Sequence, residues 1–318
     1  MTVVRKDCAA SLRTAQIRRC RPDDLPALIE IFRQIYPANP RLCEPDYLDW
    51  QFRCTPFAPP SNDYHLYLLT QDEEITGCLG YLPLEYRRED QVHPTAWTMN
   101  WYAVQPGPAG LRLITHFFRH FDHRFLIGLN EKSIPIYMAY RIPMLRKMPR
   151  WLAFLQPDRV ADCFPSPDPR FRRCLRRSVA DLPRPEEVRP IASCSRFDDD
   201  EEFHWHHYPE VTAYVRRTGR YLNWRYVDIP RHDYRLLRVD SDQFVVYRIE
   251  TIKGRSDRVL RLLEWNVAPA RISGVLADLV RRALESRTIM VDFFTTATSV
   301  GRALEPYGFI PEKQLPPP

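Results

Sequence analysis

Two short glycine-bearing turns stand before amphipathic stretches: Gln105-Pro106-Gly107-Pro108-Ala109-Gly110 and Arg271-Ile272-Ser273-Gly274-Val275-Leu276. The first turn of a helix carries N–H groups without intrahelical acceptors, and the helix dipole adds partial positive charge. Each turn could therefore cradle a phosphate. Pro108 removes one donor from the first turn. A glycine-bearing turn before a helix is common, and these two gain weight by occupying the same slot in two halves of the chain. Groups able to move protons are fewer. Glu264 sits beside Trp265 on an apolar strand, where Asn100 sits beside Trp101 in the earlier half. A strand carboxylate facing water is as good a reading of Glu264 as a base. Glu85 ends a strand and reads first as a surface charge. Tyr137 follows Asn130 by seven residues, and its plain reading is a half-buried helix tyrosine.

His204-Trp205-His206-His207 offers three imidazoles in four residues. The segment reads as helical. No two of its histidines stand four apart, the spacing that aims two ligands from one helix face. Aromatic and histidine packing, or substrate contact, is expected there, and no metal.

The elements that position these residues follow from periodicity. In the first half, 17–19 reads as a strand and Pro22-Asp23-Asp24 opens a helix. Leu25, Leu28, Ile29 and Phe32 line one face of that helix. Strands follow at 64–70, 75–85 and 96–104, then a loop, a helix over 111–121, a strand over 123–129 and a helix over 133–140. The second half repeats the order, with strands at 234–239, 244–251 and 259–267. A loop, a helix at 272–285, a strand at 288–294 and a helix at 299–304 complete it. This order predicts, for each half, a mixed and mostly antiparallel α/β sheet with helices on both faces.

The halves match by letters as well. Tyr47-Leu48-Asp49-Trp50-Gln51-Phe52 and Tyr221-Leu222-Asn223-Trp224-Arg225-Tyr226 lie 174 residues apart, and Pro56 and Pro230, Ile17 and Ile191, Cys20 and Cys194, and Asp24 and Asp198 keep that offset. Such agreement implies an internal duplication. Trp50 and Trp224 are read as core. Between the copies, Pro157, Pro165, Pro167, Pro169, Pro183, Pro185 and Pro190 predict an extended surface connection, with Arg170, Arg172, Arg173, Arg176 and Arg177 solvated on it. The expected domains are 1–155 and 191–318, joined by a Pro/Arg-rich linker at 156–190.

Composition bounds the function. The chain has 318 residues, 44% hydrophobic and 27% charged, with a net charge of +6. That excess suits an anionic ligand such as a nucleotide and falls short of the basic stripe of a nucleic-acid binder. No apolar run reaches membrane-helix length, so no membrane insertion is expected. Eight cysteines without a CxxC pair, and no signal-peptide pattern, place the protein in the cytoplasm.

The strand–loop–helix segments resemble the GNAT superfamily of acyl-CoA N-acyltransferases, which carry Q/R-x-x-G-x-G/A before a helix that holds the coenzyme A pyrophosphate. The first half keeps Gln105 and Gly110; the second keeps Arg271 and Gly274. The resemblance also covers the Asn130–Tyr137 spacing, which ends in Tyr140-Arg141-Ile142 where Gly is usual at position 141. The second half keeps Tyr307-Gly308-Phe309 but has Ala297 and Leu304 at the Asn and Tyr places. It implies two tandem GNAT-like domains and acetyl-CoA or another acyl-CoA as co-substrate. Cofactor contacts fall to Val104, Gln105, Gly107, Gly110, Leu111, Asn130, Arg271 and Gly274. Tyr137 becomes the acid that protonates the departing thiolate, and Glu264 a candidate base. The implied activity is direct acyl transfer to the amine of a small molecule or amino sugar, a homodimer remaining an open partner. The competing reading is a degenerate GNAT-like binding or scaffold protein. The unit with an open gap between 96–104 and 123–129, or between 259–267 and 288–294, would be the one that admits CoA.

Overall fold

The computed structural model describes residues 15–104, 108–128, 130–184 and 190–317. They form two compact units. One is Met1–Pro143 with Ala213–Arg216 and Asp228–Pro230; the other is Met144–Thr212, Arg217–Val227 and Arg231–Pro318.

The first unit begins with β1 (Gln16–Cys20), α1 (Leu25–Ile35) and α2 (Pro45–Phe52). Then come β2 (Tyr64–Gln71), β3 (Glu74–Arg88), β4 (Gln91–Ala103), α3 (Pro108–His120), β5 (His123–Leu126) and α4 (Ile134–Ala139). The sheet order is β1-β2-β3-β4-β5, antiparallel except for β4 and β5. Two glycines of β3 show why helices fit on both faces. A Cβ on Gly80 would lie 2.6 Å from the ring of Phe52 in α2, and one on Gly77 would lie 3.2 Å from Leu113 in α3. Three residues apart on a strand, the two positions face opposite sides. The missing side chains let each helix lie close to the sheet.

The second unit takes β6 (Arg150–Phe154), α5 (Pro157–Ala161), α6 (Pro169–Ala180), β7 (Ala192–Cys194) and β8 (Glu202–Phe203). The chain then lends β9 (Ala213–Val215) to β3 of the first sheet, through Tyr86↔Val215 to Arg88↔Ala213. It returns with β10 (Arg217–Thr218), α7 (Gly219–Tyr226), β11 (Arg235–Arg238), β12 (Phe244–Thr251) and β13 (Arg258–Asn266). Helix α8 (Ile272–Glu285), β14 (Thr288–Phe294), α9 (Thr298–Leu304) and β15 (Ile310–Pro311) complete it. The order is β15-β6-β14-β13-β12-β11-β7, with β13 and β14 parallel. Helices α2 and α7, which carry the paired Tyr-Leu-x-Trp motifs, keep the 174-residue offset at both ends. Trp50 and Trp224 are both buried, as expected of core residues.

Two expectations are corrected. Strand β6, assigned from sequence to the first domain, is an interior strand of the second sheet. Trp151 and Ala153 pack into the core of one face, Leu152 and Phe154 into the core of the other. Arg150 reaches the fully buried carboxylate of Asp292 on β14 at 2.6 Å, which fixes its register. The described part of the expected linker, residues 156–184, is not an extended connection. Pro169 occupies the first turn of α6, where its missing N–H costs nothing, and no proline follows until Pro183. Phe171, Leu175 and Ser178 then recur on one buried helical face while Arg170, Arg173, Arg176 and Arg177 stay exposed. No helix among the described residues is long and apolar enough to cross a membrane.

Candidate active site

Each unit contains the same irregularity. In the first, β4 pairs with β5 only from Thr95↔His123 to Thr98↔Leu126, yet β4 runs on to Ala103. A bulge begins there: between Gly80↔Met99 and Cys78↔Tyr102 the single residue Leu79 opposes Asn100 and Trp101. Asn100 adopts φ +52°, a left-handed conformation that asparagine tolerates better than most residues. In the second unit β13 and β14 stop pairing at Leu262↔Phe293, and Leu263 is the extra residue opposite β12. Both strand pairs therefore split, and a split alone does not single out one unit.

What lies beside the split differs. In the first unit Val104, Leu111, Phe125 and Ile127 are exposed, and Trp101, Tyr102 and Ala103 only partly buried. In the second, Glu264, Trp265, Asn266 and Val267 are buried. The Tyr208 hydroxyl donates to the Val267 carbonyl at 2.8 Å. Arg217 Nε and the Tyr226 hydroxyl donate to Glu264 Oε1 at 2.9 and 2.8 Å. Burial and then the Glu264 carboxylate push the Tyr226 phenol far above its ordinary range. Burial opposes the Arg217 charge, but Glu264 together with Tyr221 and Tyr226 outweighs it and holds the guanidinium ionised. Glu264 is thus held in a buried ion pair with Arg217 and accepts a second bond from Tyr226. Glu85 is likewise paired, with Arg216 Nη1 at 2.7 Å.

Around the first split, Trp101 is the residue that sequence reasoning passed over. Its indole N–H donates to the Gly110 carbonyl at 3.2 Å, and its ring lies 5.8 Å from that of Tyr137. It thereby joins the start of α3, the bulge and the tyrosine. Its sole sequence signal was its match to Trp265. Pro108 is the first residue of α3, so the donor it lacks is one of the orphan amides, and those of Ala109 and Gly110 remain. Val104 and Leu111 flank this turn and are exposed, Gly110 is buried, and Gln105 and Gly107 lie outside the described residues. A groove of about 440 Å³ opens beside the turn, lined by Ile17, Pro108, Leu111, Arg112, Thr115, His116 and Arg119.

Tyr137 is 3% exposed, and its hydroxyl has no hydrogen bond among the described residues. Burial pushes its pKa up to about 12. Asn130 forms the turn before α4: its Oδ1 accepts from the amides of Lys132 and Ser133 at 3.1 and 3.0 Å. Helix α4 ends with Arg141 N–H to the Met138 carbonyl and Ile142 N–H to the Tyr137 carbonyl, at 2.9 and 3.1 Å. Arg141 has φ +55°, and Gly308, its counterpart in the second unit, has φ +82°. The arginine therefore performs the left-handed helix stop for which glycine is usual.

In the second unit Arg271 caps α8, is exposed, and lies 3.5 Å from Asp240; Gly274 is in the first turn of that helix. The His204–His207 segment is not helical. It leaves β8 as irregular chain with a turn at 206–207, which brings His206 and His207 together beside Asp242. Burial and then the neighbouring His206 lower the His207 pKa. The helical-spacing argument fails here because adjacent residues in a turn can converge on a third residue far away in sequence.

No protein-family model matches the sequence, and no curated protein matches it either. Solved structures do. A conserved protein of unknown function from Enterococcus faecalis V583, described as a probable N-acyltransferase, is similar at 12% identity and TM-score 0.51. The match covers 88% of this chain and 65% of that one, so the chain spans just under two thirds of that protein. Saccharomyces cerevisiae N-myristoyltransferase with bound myristoyl-CoA and inhibitors is similar at 8% identity and TM-score 0.52, covering 94% of this chain and 78% of that one. At these identities the likeness is one of fold. The architecture is two tandem GNAT-like domains, each with a mixed, mostly antiparallel sheet.

Proposed function

We propose that this chain, which carries the GNAT fold twice, is an acyl-CoA-dependent N-acyltransferase whose first unit is catalytic. The observation behind this reading is the contrast between the two splits, one bordered by exposed apolar residues and the other by buried residues of β13 that Tyr208, Arg217 and Tyr226 bind. In this reading the first-turn amides of α3 hold the pyrophosphate, and Arg112 and Arg119 supply positive charge along the groove. The backbone freed beyond Thr98 polarises the thioester carbonyl. A neutral amine attacks that carbon, the carbon–sulfur bond breaks, and Tyr137 gives its proton to the thiolate. The amine proton leaves through water. Glu264 acts as the buried anchor for Arg217 and Tyr226, and Asn130 keeps its Nδ2 for the pantetheine arm. The acceptor is assigned to small amines, amino sugars included. The seven described cysteines are all free thiols, in keeping with a cytoplasmic setting.

Calorimetry with acetyl-CoA tests the assignment, followed by thiol release over a panel of amines. Pro108→Gly restores a donor and should bind at least as tightly as wild type, and Arg271→Ala should bind unchanged. Weakening by Arg271→Ala alone would move the cofactor to the second unit. No binding at millimolar acetyl-CoA would favour a scaffold.

A further inference from the structure

Three side chains converge at a place the acyl-transfer chemistry does not use. His206 Nε2 and His207 Nε2 lie 3.0 and 3.3 Å from the same oxygen, Oδ2 of Asp242, and all three atoms fall within 4.8 Å of one another. Around a tetrahedral zinc with bonds of about 2.0–2.1 Å, neighbouring ligand atoms stand about 3.3 Å apart. The spacing therefore suits three ligands of one ion. Both imidazoles face the same carboxylate oxygen, and His207 Nε2 is shielded from solvent and makes no hydrogen bond despite that nearness.

The backbone around the cluster is held in place. Asn266, fully buried, donates to the carbonyls of Asp242 and His204 at 2.8 and 3.2 Å, tying the β11–β12 turn to the segment that carries the histidines. Supports of this kind orient metal ligands. His206 is more than half exposed, which leaves water room to take a fourth position.

We infer that His206, His207 and Asp242 form a binding site for one divalent transition-metal ion of the zinc class. Two imidazoles and a carboxylate are borderline donors that favour zinc, cobalt or nickel over magnesium or calcium. The ion clamps the turn at Asp242 to the segment running into Tyr208. That segment is tied to the residue after β13 through the Tyr208–Val267 hydrogen bond.

The test uses the full chain, freed of any histidine tag and stripped with chelator, titrated with zinc chloride in a calorimeter. One zinc per chain should bind, and His206→Gln and Asp242→Asn should each weaken it at least tenfold, since even supporting residues matter by 10- to 100-fold. Circular dichroism establishes that each variant is folded. Zinc should raise the melting temperature of the wild type and not of the variants. Cobalt should give a visible absorption band that both substitutions abolish. Absence of saturable zinc binding would overturn the assignment. So would wild-type affinity in both variants, which would place the zinc elsewhere, for example on cysteines.

Discussion

Replacing Tyr137 by phenylalanine removes one oxygen and little else. The ring can keep its place against Trp101, and the hydroxyl has no hydrogen bond to lose among the described residues. The unfolding free energy should therefore stay within about 0.5 kcal/mol of wild type. The effect on turnover follows from proton affinities. Burial holds the Tyr137 phenol at about 12, so it carries the proton that a departing thiolate takes up. General acids contribute about 10²- to 10⁴-fold. Exposed Val104 and Ile127 border the split, so water can substitute in part, and kcat should fall by about ten- to hundredfold. That corresponds to about 1.4–2.7 kcal/mol of transition-state stabilisation. Thiol release at saturating acetyl-CoA and amine measures it, with calorimetric affinity for acetyl-CoA expected to be unchanged. Because the phenol stays protonated up to about pH 12, it should cause no alkaline decline in wild-type turnover. Unchanged kcat in a folded variant would remove Tyr137 from the mechanism, and a change confined to KM would make it a binding residue.

Two further outcomes follow from buried charge. Glu264→Ala takes away the carboxylate shared by Arg217 and Tyr226 and should destabilise the chain by about 3–5 kcal/mol in urea unfolding while sparing kcat; lost kcat at unchanged stability would restore Glu264 as the base. His65 is buried, and burial and then Arg19 lower its pKa to about 4. Below pH 6.5 the unfolded chain takes up a proton that the folded chain refuses until about pH 4. Stability should therefore fall by about 3 kcal/mol across that window, and His65→Gln should flatten the loss. A wild-type stability curve that is flat from pH 7 to pH 4, measured by urea unfolding, would refute the placement of His65.

Much of the fold was legible because periodicity and punctuation agree with it. The 174-residue offset of the Tyr-Leu-x-Trp motifs and the strand–turn–helix slots both stand where the letters put them. What stayed hidden depended on partners distant in sequence. Arg150–Phe154 reads as an apolar strand from its own residues, but nothing local says which sheet it joins; the buried Asp292 decides that. Helix α6 was masked by prolines on both sides, although its own interior contains none. At the candidate site, Tyr137 and the glycine turn were singled out by the resemblance to the GNAT superfamily. The role of Trp101 was not, because an indole that bridges a bulge and a helix start looks like any core tryptophan. Glu264 was legible as a strand carboxylate, but its partners Arg217 and Tyr226, distant in sequence, were not.

Strand β9 has a bearing on how the chain is made. A ribosome releases β1 to β5 well before Ala213–Val215, so the edge of β3 at Tyr86–Arg88 waits unpaired while β6, α5 and α6 are still emerging. An unpaired strand edge is a template for mispairing, and a fragment truncated before residue 213 carries that edge permanently. Cutting after residue 155 would also strip the second sheet of β6. The two folds therefore do not correspond to two separable pieces of chain, and fragments split there should recover soluble protein only when produced together.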